Sequence, residues 1–199
     1  MIRCLLCTMA LLMLQGCLTP GNYTPTLRYP VEPAPSVAAV ETGTSILGMR
    51  TLNAALPYDL QMAVFRGAGG ALEIKRHAEW AERPETIVTR AILDALIASR
   101  RFADVGDAAQ MRPPDYILTG ELRLFRENRA GETPAAEIEV RLELRNALKP
   151  GAPWSATLRH SAPLEEDTPS GLAKAMTGAV AALAEEAAAG IVKLDLEKE

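Results

Sequence analysis

The sequence predicts an α+β domain of two layers, a largely antiparallel β-sheet with two helices packed on one face. Three observations carry that prediction. Through residues 117–126 and 136–145 apolar and charged side chains alternate, the period of strands with one face buried and the other in water. Two stretches opening at Pro84 and Pro169 repeat their apolar residues at helical spacing instead. Strands and helices are also segregated: short strands, a helix, long strands, a helix.

The chain opens with Arg3, an apolar run over residues 5–14, and then Leu14, Gln15, Gly16 and Cys17. This is the layout of an export signal. The run is about ten residues, half of the roughly 20 that cross a bilayer, so it reads as the core of a cleaved signal. No later stretch is expected to be apolar enough to span. The tetrapeptide ending at Cys17 resembles the bacterial lipobox, with Gln15 departing from the usual small or branched residue. Residues 1–16 are therefore expected to be a lipoprotein signal peptide, and Cys17 the lipidated first residue of the mature chain. Two or three acyl chains, at about 0.8 kcal/mol per buried CH₂, make such an anchor effectively permanent. Leu18, rather than Asp, follows the cysteine, which by the enterobacterial sorting rule favours the outer membrane. Cys4 and Cys7 leave with the signal, so no thiol remains for a disulfide, a metal or a nucleophile.

Residues 17–45 carry Pro20, Pro25, Pro30, Pro33 and Pro35 with few large apolar residues, and are expected to be a tether. At ~3.1 Å per residue an extended Pro-rich chain of roughly 25 residues reaches ~75 Å. Within it, residues 22–29 have the composition of an edge strand, confined to an edge by Pro25. If that strand pairs, the tether shortens accordingly.

Residues 46–196 are assigned to the domain. Strands are expected at 46–52, 62–66 and 71–75, with Gly67, Ala68, Gly69 and Gly70 as the hairpin turn between the last two. A phosphate-binding loop would be followed by a helix, and here another strand follows. Pro84 suits the first turn of a helix and Glu85 its dipole. Val88, Ala91, Ile92, Ala95, Leu96 and Ser99 form its apolar stripe, and Arg100 and Arg101 its end. A short strand is expected at 102–105. In 117–126, Leu118, Gly120, Leu122 and Leu124 should face inward; in 136–145, Ala136, Ile138, Val140, Leu142 and Leu144. Residues 154–162 repeat the pattern more weakly. Asp167 or Thr168 can cap the last helix, whose stripe is Leu172, Met176, Ala179, Val180, Leu183, Ala187 and Ile191. A helix lying on a membrane would carry Lys and Arg on its polar face; this one carries Glu185 and Glu186, which favours core packing.

The net charge is −4, with Lys and Arg scattered among Asp and Glu, so no basic patch suits nucleic acid. His77 and His160 have no partners at metal-ligand spacing, no G-x-S-x-G motif occurs, and Glu165, Glu166 and Asp167 read as solvated charge at a helix start. No enzyme activity, metal or cofactor is expected. Binding or scaffolding is.

Several pieces occur in an order that resembles the ABC-type transport auxiliary lipoproteins, periplasmic partners of MCE-domain lipid transport systems. They are Leu56, Pro57 and Tyr58 before a hairpin, and Val64, Phe65 and Arg66 at a strand end. Trp80, Ala81 and Pro84 then lead into a helix ending at Ser99, Arg100, Arg101, Phe102 and Val105. Asp115, Tyr116, Leu118, Gly120 and Leu122 open a strand, and Trp154 begins the last one. The departure is Phe65, where family members often have tyrosine. The resemblance implies a non-catalytic component that docks on the periplasmic end of an MCE assembly and ties it to the outer membrane. It also marks Arg66 and Trp80 as candidate partner contacts, Trp80 being equally suited to a core position. Gly120 is expected to let two layers approach. Self-association stays open. A lipoprotein chaperone or scaffold for outer-membrane or lipopolysaccharide assembly is the alternative, and direct lipid carriage would need an apolar groove between helices and sheet.

Overall fold

In the computed structural model residues 24–196 are described. The expected signal over residues 1–16, Cys17 and the first residues of the expected tether lie outside them. Along the rest run β1 (Leu27–Tyr29), β2 (Ile46–Met49), β3 (Asn53–Ala54), β4 (Gln61–Phe65) and β5 (Leu72–Trp80). After these come α1 (Pro84–Ser99), β6 (Asp104–Asp107), β7 (Tyr116–Asn128), β8 (Ala135–Asn146), β9 (Trp154–Pro163) and α2 (Pro169–Val192).

The longest strand, β7, organises the sheet. On one side it begins the antiparallel meander β7–β8–β9. Its other side is lined, in parallel, first by β2, then by β3 and finally by β4. The chain from Ile46 to Phe65 thus follows β7 in one direction, leaving it between pairings. That is why the strand expected at 46–52 stops at Met49 and resumes as β3. β6 extends the sheet beyond β2; β5 and then β1 extend it beyond β4. The sheet is therefore mixed, with its longest ladders antiparallel.

The glycine turn forms as expected: Phe65 pairs with Leu72, and Gly67, Gly69 and Gly70 hold φ of 75°, 76° and 70°. β5 runs on to Trp80, past the expected end at residue 75. It is irregular on the way, because Ile74 faces Ala63 while Glu79 faces Gln61, and His77 takes the slack at φ 59°.

Both helical stripes are buried. α1 lies against α2 and over β3, β6 and β7, while α2 lies across β8 and β9. Thr168 caps α2, its side-chain oxygen accepting from the Gly171 amide at 2.9 Å. The Thr89 hydroxyl, which donates to Glu85 O, accepts from the Leu52 amide and pins α1 to the chain entering β3. At Gly120 a Cβ would sit 2.4 Å from the Arg141 carbonyl of the paired strand β8 and 2.9 Å from Leu52, so the tightest approach is within the sheet rather than between two layers as expected. By length and composition α2 is apolar enough to cross a membrane, which corrects the expectation that no stretch after the signal is. Its stripe faces the sheet, as in a core helix.

Two other expectations are revised. In β7 the pairing shifts between Leu122 and Leu124, so the alternation slips by one. Leu124 is only half-buried, and Phe125 and Glu127 turn inward in its place. The Pro-rich segment, from β1 onward, lies on the domain. β1 pairs in parallel with β5, and Val31 is 3% exposed within the core. The amides of Val40 and Gly43 donate to Ser99 O and Arg101 O at 2.9 Å. With the edge strand paired, the stretch held on the domain begins at Leu27.

Candidate interaction surfaces

Three surfaces follow from this topology. At one end of the sheet meet the β4–β5 turn, the β7–β8 turn and the link from β9 into α2. At the other end meet the turn after β6, the β8–β9 turn and the end of α2. Between them lies the face of the sheet opposite the helices.

The hairpin end is built around Glu127, which the slip in β7 turns inward until it has no exposed surface. A buried carboxylate needs cations. Lys75 Nζ lies 2.7 Å from Glu127 Oε2, and Arg129 pairs with Oε1. Arg129 also reaches Asp167 beside the α2 cap, its Nη1 donating to Oδ2 at 2.9 Å. The hydrogen bond from Arg129, followed by the charges of Arg129, Lys75 and Arg66, holds the Asp167 carboxyl below its ordinary range. Arg66, marked by the resemblance, stays at the surface and pairs with Glu73 across the turn at 2.9 Å. Lys174 and Glu165 form a further exposed pair at 2.5 Å.

Trp80 is a different case. It is 0% exposed and meets the Phe125 ring edge-to-face, centroids 5.0 Å apart. The candidate partner contact at Trp80 is therefore corrected to a core position, because no partner reaches a side chain with no exposed surface.

The outer face of the sheet is a ladder of ion pairs. Arg123 reaches Glu121 at 3.1 Å, and Arg159 reaches Glu139 at 2.7 Å. Arg126 bonds Glu137 at 2.8 Å while its guanidinium lies 4.2 Å from the centre of the Phe65 ring. Any aromatic ring serves there, so phenylalanine in place of tyrosine keeps the contact. Tyr58 covers this cluster. Burial raises its phenol pKa, and the Arg126 charge opposes the rise.

At the far end Leu148, in the β8–β9 turn, is 91% exposed. The Tyr116 hydroxyl donates to Leu196 O at 2.7 Å and fastens the chain after α2 to the start of β7. His77 is exposed, whereas His160 Nε2 lies 2.7 Å from Glu186 and ties β9 to α2. Among the described residues no three His, Cys, Asp or Glu side chains come together as a metal set. The space between helices and sheet, where a lipid groove would open, is filled by Leu118, Leu122, Ile138, Leu142, Met176 and Leu183, all 0% exposed. The cleft between β9 and α2, lined by Ala162, Pro163 and Ala175, encloses about 260 Å³.

The slip that makes the Glu127 network had a signal, since Leu124 and Phe125 are adjacent apolar residues within an otherwise alternating run. The docking of the Pro-rich segment had only Tyr29 and Val31.

A crystal structure of protein XCC0632 from Xanthomonas campestris, assigned to DUF330, shares this fold with a TM-score of 0.69 at 23% identity. The match covers 89% of this chain and 99% of that one. A second crystal structure, of an uncharacterized protein, matches with a TM-score of 0.63 at 11% identity, covering 82% and 98%. At these identities the likeness concerns the fold. No curated protein matches the chain. The family model for the ABC-type transport auxiliary lipoprotein component matches residues 26–188, starting at β1 and thus taking in the docked Pro-rich segment. With that model covering nearly all of the described residues, the chain belongs to the ABC-type transport auxiliary lipoprotein family.

Proposed function

We propose that this protein is a lipid-anchored, non-catalytic component of an MCE-type lipid transporter, acylated at Cys17 and linking the periplasmic transport assembly to the outer membrane. Membership of the transport auxiliary lipoprotein family is the observation that carries this reading. The packing supports a division of labour. A layer of fully buried Leu, Ile and Met side chains occupies the space between helices and sheet, so the lipid itself travels through partner proteins while this domain holds them in place.

Affinity purification of the tagged, full-length lipoprotein after crosslinking in its native envelope tests the reading. An MCE-domain protein is expected among the crosslinked partners. Recovery of β-barrel or lipopolysaccharide assembly factors alone would replace it with a chaperone or scaffold role.

A further inference from the structure

We propose that the domain rides directly on its own membrane, with the β4–β5 hairpin end turned to phospholipid headgroups and the Leu148 end turned away from them. The proposal rests on the reading of Cys17 as the acylated residue.

The reach of the anchor is set by where the chain first becomes fixed. That point is Leu27, where β1 joins β5. The following strap is held along its length. Tyr29 O accepts from Ala81 N, the Ser36 amide donates to Glu185 Oε1 at 2.8 Å, and Val40 and Gly43 donate to the end of α1. Only the ten Cα steps from Cys17 to Leu27 remain as a leash. However these residues are arranged, they span at most ~35 Å. This replaces the ~75 Å of a free Pro-rich tether.

Strand register says which way the leash leaves. β1 runs parallel to β5, β5 antiparallel to β4, and β4 parallel to β7. The chain therefore enters β1 from the hairpin side. Leu27 pairs with Ala78, which lies at about the level of Phe125, three residues from the hairpin end of β7 and nine from Tyr116 at the other. At ~3.3 Å per residue that is about 10 Å from one end and about 30 Å from the other. Turning the far end to the membrane would consume nearly the whole leash along the flank of the domain. Turning the hairpin end to it consumes a third.

Charge contributes little to this orientation. Arg66, Lys75 and Arg129 are matched with Glu73, Glu127 and Asp167. The leash, rather than attraction to anionic lipid, sets the geometry.

Single cysteines placed by Glu132→Cys in the β7–β8 turn and Lys149→Cys in the β8–β9 turn report the two ends, both positions being exposed. The mature acylated protein is taken from native envelopes, labelled with a fluorophore and reconstituted in phosphatidylethanolamine–phosphatidylglycerol vesicles carrying a headgroup acceptor. Energy transfer is expected to be at least about two-fold greater from position 132 than from 149, given the ~35–40 Å length of β8. The difference should persist at ~0.5 M salt and vanish when roughly 20 Gly/Ser residues are inserted after Leu18. Equal transfer from both positions, or a difference that survives the insertion, overturns the proposal. Failure of the wild-type protein to float with the vesicles would instead remove the Cys17 reading on which it rests.

Discussion

Ser36 and Glu185, 149 residues apart in sequence, are joined by a 2.8 Å hydrogen bond from the backbone amide of one to the carboxylate of the other. This bond holds the Pro-rich strap against α2. Glu185→Ala removes an exposed charge-assisted bond, so the global cost is about 1 kcal/mol or less. The effect is local to the strap, whose middle loses its bond to α2 while β1 and the amides of Val40 and Gly43 stay held. Limited proteolysis should cut residues 32–42 faster in the variant, with the cooperative unfolding of the remainder unchanged.

Trp80→Ala should cost about 3–5 kcal/mol in urea-induced unfolding, since it empties a fully buried site and removes the edge-to-face contact with Phe125. That is a large share of the 5–15 kcal/mol of a typical domain. A Trp80→Ala protein that folds with wild-type stability yet loses its partner would return Trp80 to the interface.

The Arg129–Asp167 pair gives the stability a pH dependence of known sign. Asp167 is held below its ordinary value of 3.8, chiefly by the Arg129 hydrogen bond. The native state therefore binds this proton more weakly than the unfolded chain does. The contribution of the pair is complete above the unfolded value and is lost as pH falls through the lower folded one. Asp167→Asn should melt below wild type at pH 7, and the gap should close below pH 3.8. A gap independent of pH would mean that the side chain acts through packing.

Gly120→Ala places a Cβ 2.4 Å from the Arg141 carbonyl, between β7 and β8. Strands cannot part locally without breaking the ladder, so the expected cost is about 1–3 kcal/mol or more in urea unfolding. A neutral substitution would show that the sheet yields there.

How much of this was legible in the sequence depends on repetition. The stripes of α1 and α2 and the ladder of β8 recur over many residues, so one exception does not disturb the pattern, and each was found within a residue or two. The slip after Leu122 is a single event, and a period-two rule carries on through it, pointing Leu124 inward ahead of Phe125. The pairing of β7 with β2, β3 and β4 is long-range, and short runs of apolar residues do not say which strand they meet or in which direction. The strap is hidden in the sequence for a third reason. Prolines and small polar residues suit a docked segment as well as a free one, and only Val31 is deeply buried. Of the residues singled out, Arg66 stays at the surface and Trp80 does not, a distinction that depends on tertiary burial.

The tie proposed between an MCE-type assembly and the outer membrane runs through the acyl anchor proposed at Cys17. Density fractionation of envelopes from cells carrying the wild-type protein or Cys17→Ser separates the two membranes and shows where the partner travels. The crosslinked MCE partner is expected with outer-membrane fractions in the wild type and with inner-membrane fractions alone in Cys17→Ser. The same partner distribution in both strains would mean that the protein does not make this tie.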